Sequence, residues 1–369
     1  MFLSLREIWH ARLRTALIVA VIALVAWLVF LLSGLANGLA SDNGATLTGM
    51  DAAGLVFEQD VRLFLHRSIL PETMVADVAA VDEVIAAEPL GHLTMTVVRA
   101  DGETRIDATM LGIDPTGFLA PAITRGVPLA EARGGVVVDE TFARDGVQLG
   151  DVLKVTPSGV PLTVVGFTSG EKYNHLPVIY IDLAQWRALK FASAGEAGGI
   201  PDPISAVVVQ GPAGVLDRVQ GALPDVDVAT RQQTIENLPG YSSEMSTVRT
   251  ILAFLFLIAA MVMAVFFYVI TLQKTNQFGV LKAIGASSRS LSVDLAGQVL
   301  LLTLIGAAVG AGLANLVAAA LPAEVPFALS NRLIVVYSGV LLLVAVVGAG
   351  LSMARISRID PLIAIGRVD

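Results

Sequence analysis

Cysteine is absent from the 369 residues, histidine occurs only 4 times, and 15% of the chain is charged. The first absence excludes disulfide scaffolds, zinc–thiolate sites, iron–sulfur clusters and cysteine nucleophiles by inventory. The shortage of charge excludes an ordinary water-soluble enzyme: 55% of the residues are apolar and the mean hydropathy is +0.74, far above that of a soluble globular protein. A third absence concerns nucleotides. No Gly-x-x-x-x-Gly-Lys-Ser/Thr phrase occurs, so the chain has no Walker A loop to cradle ATP phosphates.

What is abundant is apolar sequence in long runs. A bilayer core of about 30 Å needs about 20 apolar residues in a helix, and runs at 16–36, 251–270, 296–321 and 333–354 meet that requirement. The expected fold is membrane α-helical, with four transmembrane helices (16–38, 248–271, 293–321 and 333–354) and a large extracytoplasmic α+β domain, 39–247, inserted between the first and second. The remainder is an N-terminal segment 1–15, a loop 272–292, an outer loop 322–332 and a tail 355–369. Arg6, Arg12 and Arg14 ahead of the first run, and Ser33-Gly34-Leu35-Ala36 within it, also suit a signal peptide. The run exceeds an h-region of about 7–15 residues, however, and is read as a retained span.

Orientation follows from the basic residues. Arg6, Arg12 and Arg14 precede the first span, Lys274, Lys282 and Arg289 follow the second, and Arg355, Arg358 and Arg367 follow the fourth. All three clusters share one side, which places both termini and the loop 272–292 in the cytoplasm and the α+β domain outside the cell membrane. Residues 40–247 hold 13 Lys/Arg against 27 Asp/Glu, and so acidic a domain argues against nucleic acid as a partner. Within it, short β-rich runs at 94–99, 106–113, 136–139, 152–156, 162–167, 178–182 and 206–210 are separated by turn residues. Helical periodicity appears at 75–88, 183–191, 213–223 and 230–238, and the Gly- and Ala-rich stretch 192–202 reads as a surface loop.

Between the second and third spans the chain reads Thr271-Leu272-Gln273-Lys274-Thr275-Asn276-Gln277-Phe278-Gly279-Val280-Leu281-Lys282-Ala283-Ile284-Gly285-Ala286-Ser287. Phe278, Leu281 and Ile284 or Val280 recur at helical spacing, leaving Lys274, Gln277 and Lys282 for water or a partner, and Gly285 is placed to end the helix. Pattern alone also describes a basic membrane-flanking loop. The phrase Gly279-Val280-Leu281-Lys282-Ala283-Ile284-Gly285-Ala286, with Ile359-Asp360-Pro361-Leu362-Ile363-Ala364-Ile365, resembles the signature of FtsX-like permeases, the four-span subunits of macrolide-exporter-type ABC transporters. The resemblance covers essentially the whole chain. It implies a separate cognate ATPase that receives the loop helix in a groove, which gives Asn276, Phe278, Leu281, Lys282, Ile284 and Arg289 an ATPase-coupling role. It also implies two permeases working with two ATPases. Gly34-x-x-x-Gly38 and Gly306-x-x-x-Gly310 suit close helix approach at such a homodimer.

A narrower resemblance lies in Phe266-Phe267-Tyr268-Val269-Ile270-Thr271-Leu272-Gln273-Lys274, Ser33-Gly34-Leu35-Ala36-Asn37-Gly38-Leu39 and Val325-Pro326-Phe327. These are similar to the permeases of haem-regulated haem efflux pumps, and glycolipid exporters of the same branch share some of them. The resemblance implies haem as a substrate taken from membrane lipids, ATP on the partner subunit, and no permanently bound cofactor. Haem needs an apolar slot, an iron ligand and polar or cationic partners for its propionates, and without cysteine the ligands are His, Met, Tyr or, less usually, a carboxylate.

Five residues are candidates for substrate binding. Tyr173 matches a tyrosine implicated in haem handling by that family and lies near His175 in Tyr173-Asn174-His175-Leu176-Pro177; the alternative is a packed Tyr and a surface His. Glu58, in Leu55-Val56-Phe57-Glu58-Gln59, is an iron or cation ligand or a solvated acid. Met50 and Met74 are ligands or core fillers. His66 and His92 read as ordinary polar positions, and Gln298, Thr303 and Asn315 are expected to face neighbouring helices.

The spans contain no His, no Asp pair and no Ser–His or metal-ligand spacing, so neither a catalytic residue nor a resident metal is expected. Three readings follow. The first is an ABC exporter of haem working by mechanotransmission; the second, an exporter of another lipid-like substrate, lipoprotein release included; the third, a non-transporting FtsX-like signal transmitter acting on an extracytoplasmic partner.

Overall fold

The computed structural model describes residues 12–99, 102, 104–191, 197–273, 275–322 and 325–357. Arg6, Lys274, Arg358, Arg367, the phrase 359–365 and the 192–196 part of the expected loop lie outside the described residues. In chain order the first elements are α1 (Arg12–Gly49), β1 (Gly54–Glu58), β2 (Leu70–Pro71), α2 (Thr73–Ala79), β3 (Ala86–Val98), β4 (Arg105–Ile113), β5 (Arg125–Gly126), β6 (Gly135–Asp139), α3 (Thr141–Arg144), β7 (Val152–Thr156), β8 (Pro161–Thr168), β9 (Lys172–Tyr173) and β10 (Leu176–Asp182). They are followed by α4 (Leu183–Lys190), β11 (Pro203–Ile204), β12 (Ala206–Gln210), α5 (Val215–Ala222), β13 (Val226–Thr230), α6 (Arg231–Glu236), α7 (Tyr241–Gln273), α8 (Thr275–Ala283), α9 (Ser288–Ala320) and α10 (Asn331–Ser357). Residues 40–244 form one compact unit and the flanking segments another.

The α+β unit is built on a mixed sheet of order β13-β1-β12-β3-β4-β10-β6-β8-β5. β7 pairs with both β3 and β8, so that β3, β4, β10, β6, β8 and β7 close into a ring. Side chains alternate across the strands. Val56, Val136, Val138, Ile179 and Ile181 enter one apolar cluster, while Leu55, Phe57, Val137, Val178 and Tyr180 enter another on the opposite face. A sheet covered on both faces needs apolar residues at successive positions, which is why these strands read as continuous apolar runs.

The helix expected at 75–88 is two elements. α2 stops at Ala79 and β3 begins at Ala86. Pro89 accounts for the difference: it lacks an N–H, and the residue before it is driven to extended geometry, so 86–90 pairs with β12 despite its helical composition. β1 and β13 are strands that the sequence pattern did not single out.

Among the described residues, four helices are long and apolar enough to cross a membrane: Thr15–Gly49, Tyr241–Gln273, Arg289–Ala320 and Asn331–Gly348. α1 has 38 residues, about 57 Å of ideal helix against a bilayer core of about 30 Å, and it leaves regular geometry at Gly44 (φ −133°, ψ 26°). The helical unit has its own core, to which Ala26 and Phe30 of α1, Met263 and Phe267 of α7, Val299 and Leu302 of α9 and Ala345 of α10 contribute.

Both small-residue motifs pack against neighbours within the chain. Gly306 and Gly310 lie against Ile22, Ala23 and Ala26 of α1, while Gly34 and Gly38 lie under Phe327 and Pro326. The Ala328 N–H donates to the Gly34 carbonyl at 2.9 Å, and Asn37 Nδ2 donates to the Ala328 carbonyl at 3.0 Å. Thr303 is buried as expected. Asn315 is not: it lies on an exposed face of α9 and returns its amide to the Ala311 carbonyl at 2.9 Å, satisfying itself on its own helix.

Candidate functional site

β9 and β10 are joined by Asn174 and His175, both in the left-handed region (φ 51° and 65°), with Tyr173 paired to Leu176. This is the type I′ geometry whose twist matches that of the flanking strands. The turn sends its side chains apart. Tyr173 is 5% exposed and packs into the domain interior, its ring centroid 4.9 Å from that of His92. His175 stays outside, with Nε2 at 3.2 Å from Glu244 Oε2. The two side chains therefore do not converge on one ligand, although they lie close together in sequence.

His92 is not the ordinary polar position its sequence context suggests. It is buried, and neither ring nitrogen has a hydrogen-bond partner. An unpaired buried polar atom costs about 1–3 kcal/mol, so its neighbours must hold it there. The His92 N–H donates to Ser205 Oγ at 3.0 Å, and Lys190 Nζ donates to the same oxygen at 3.1 Å. Burial, followed by the charges of Lys190 and His66, lowers the His92 pKa to about 3, so the ring is neutral. Burial also lowers the Lys190 ammonium to about 8 and pushes the Tyr173 phenol up. His66 stacks on Phe64 at 5.3 Å and is lowered by burial, then by Arg67 and Lys190.

The remaining substrate candidates are dispersed. Glu58 ends β1, where its Oε2 accepts the Ile69 N–H at 2.9 Å while its own N–H donates to Ser68 Oγ at 2.9 Å; the pair closes the intervening loop. Met50 packs against the cluster that holds Tyr173, and Met74 against the cluster on the other face of the sheet. An apolar pocket between α1 and α7, lined by Val21, Val25, Met263 and Phe266 among others, has about 10 Å³, too little for a porphyrin. A wider cleft of about 430 Å³ in the α+β unit is lined by Thr116, Arg133, Asp182 and Gln185, and none of the five candidates borders it.

Asn276 and Phe278 lie on α8, with their side chains outside what the structure describes. The end of α8 is closed as its sequence predicts. Gly285 has φ 103°, its N–H donates to the Lys282 carbonyl at 3.0 Å, and the Ala286 N–H donates to the Leu281 carbonyl at 2.9 Å, the two bonds of a Schellman motif. Leu281 and Ala286 pack toward the helical core, whereas Val280 and Ile284 are 52% and 76% exposed. Lys282 is half-buried, and Arg289 is exposed in the first turn of α9, which Ser287 caps by accepting the Ser290 N–H at 3.1 Å. The expected single apolar face of this helix is thus split between an inward Leu281 and an outward Val280 and Ile284.

Two family models match the chain: MacB-like periplasmic core domain over residues 15–226, more than half its length, and FtsX-like permease C-terminal over residues 249–361. The chain belongs to this family of ABC-transporter permeases. It is a multi-pass protein of the cell membrane, a permease subunit whose ATPase is a separate subunit. It is 26% identical over 366 residues to the "Putative hemin transport system permease protein HrtB" of Staphylococcus epidermidis, with 99% of each chain covered. It is also 26% identical over 373 residues to an uncharacterized ABC transporter permease of Mycobacterium tuberculosis, again with 99% of each covered. The crystal structure of the periplasmic region of MacB from Actinobacillus actinomycetemcomitans aligns at 16% identity with a TM-score of 0.36, covering 52% of this chain and 96% of that one.

Proposed function

We propose that this chain is the permease half of an ATP-driven exporter that extrudes haem from the membrane. The observation that carries the reading is end-to-end similarity to relatives named for hemin transport, which align over 99–100% of both chains at 25–26% identity. Haem suits such a machine because its apolar ring partitions into lipid, so export needs no continuous aqueous channel.

In this reading both termini and α8 face the cytoplasm, the α+β domain faces outward, and two permeases assemble with two cognate ATPases. Closure of the ATPases on ATP acts on α8 through Asn276, Phe278, Lys282 and Arg289 and through the outward Val280 and Ile284. The capped turn from Gly285 to Ser287 is stiff, so the push passes into α9 instead of being absorbed in a loop. The paired bundles then rotate and expel substrate from an outer pocket. Tyr173 is the substrate contact, and Glu58, His175, Met50 and Met74 are the further ligand candidates.

Titration of haem into the purified transporter tests the substrate. A stoichiometric Soret shift, lost in Tyr173→Ala or Glu58→Ala, supports the reading. No shift in a folded protein that stimulates its ATPase transfers the function to another lipid-like cargo or to signalling.

A further inference from the structure

The hairpin 172–176 is fixed to the sheet at its base and, at its tip, to the first and last residues of the same α+β unit. At the base the Glu171 N–H donates to Asp139 Oδ2 at 2.8 Å, and the Tyr180 hydroxyl donates to Glu171 Oε2 at 2.8 Å. At the tip Lys172 Nζ pairs with Asp42 Oδ2, the Asn174 N–H donates to the Asn43 carbonyl at 2.8 Å, and His175 Nε2 meets Glu244 Oε2 at 3.2 Å. Asn43 Nδ2 donates to the same Glu244 oxygen at 3.0 Å, so α1 and α7 are tied together where the hairpin grips them. The next residue, Gly44, is the non-helical point of α1, and Ile235 fills the space beside it.

We infer that this hairpin is the lever through which α1 and α7 set the exposure of Tyr173, making Lys172, Asn174 and His175 positioning residues for transport; the inference rests on Tyr173 being the substrate contact. A two-residue turn leaves little slack. Tyr173 is flanked by residues that hold the helices, while its own ring lies on His92. Movement of α1 against the sheet therefore draws the backbone of 172–175 with it and lifts the phenol out of the core. The closed position is also poorly satisfied, because it seals both His92 ring nitrogens away from any partner. Opening gives those nitrogens water, which offsets part of the cost of exposing the tyrosine ring.

Two measurements on the assembled transporter test the lever. Amide exchange of the segment 171–177 is expected to accelerate at least about 5-fold in one nucleotide state relative to the other, since coupling between distant sites is of that order. Equal exchange in both states of a transporter that hydrolyses ATP overturns the inference. Lys172→Asp and Asp42→Lys are each expected to lower export by at least about 5-fold while ATP hydrolysis persists, and the combined exchange to restore it. Full export by either single variant overturns the inference as well. If the single variants do not fold, the exchange measurement on the wild type decides. A wild type that binds no haem but whose hairpin still responds to nucleotide removes the substrate assignment and supports the lever.

Discussion

The ring of Phe327 stands where a side chain at Gly34 would have to be, which lays the connection between α9 and α10 directly on α1. One turn further along, a Cβ at Gly38 would meet the backbone of Pro326 and Phe327 instead of a side chain.

The difference predicts an order of effects. A ring can swing aside and a backbone cannot, so Gly38→Ala is expected to destabilise the protein more than Gly34→Ala, with overpacking of this kind costing about 1–3 kcal/mol. Phe327→Ala should rescue Gly34→Ala and leave Gly38→Ala unrescued. Thermal unfolding in detergent micelles measures both; equal losses, or the reverse order, contradict the packing.

His92 predicts a pH dependence. Its pKa is lowered from 6.5 in the free side chain to about 3 in the fold. Between those values the unfolded chain takes up a proton that the folded chain refuses. Its contribution is therefore fully present above pH 6.5 and is lost as pH falls toward 3, by up to about 1.4 kcal/mol per pH unit. The melting temperature of the full protein should fall less steeply on acidification in His92→Leu than in the wild type. Identical slopes would place the imidazole in water.

The end of α8 predicts an uncoupling phenotype. At Gly285 the backbone has φ 103°, where a Cβ adds at least about 1 kcal/mol of strain, so Gly285→Ala should loosen the turn into α9. Ile284→Asp places a charge on the most exposed apolar residue of this segment, and Lys282→Ala removes its cation. All three variants are expected to bind substrate as the wild type does while export per ATP hydrolysed falls. Undiminished export by Ile284→Asp argues against a partner on this face.

Much of this was legible in the sequence, and the part that was not has identifiable causes. The spans announce themselves by apolar length, and the strands of the ring by β-branched runs between glycine turns. Gly285 was legible because a helix end needs a residue free of Cβ strain. The 75–88 stretch misled because its alanines and spacing satisfy a helix locally, while Pro89 and the partner strand β12 decide otherwise. The hairpin's grip was invisible for another reason. Asp42 and Lys172 are 130 positions apart and Asn43 and Glu244 are 201 apart, and no local periodicity encodes such pairs. His92 likewise reads as an ordinary polar position until the fold buries it beside Tyr173.

Reconstitution tests most directly whether a separate ATPase drives haem out of the membrane through this chain, as proposed. With the chain and its cognate ATPase in haem-loaded vesicles, ATP supplied on the side of α8 should deplete membrane haem into an acceptor on the opposite side, and Ile284→Asp should abolish the depletion. Haem that stays in the bilayer while the reconstituted wild type hydrolyses ATP would contradict the account.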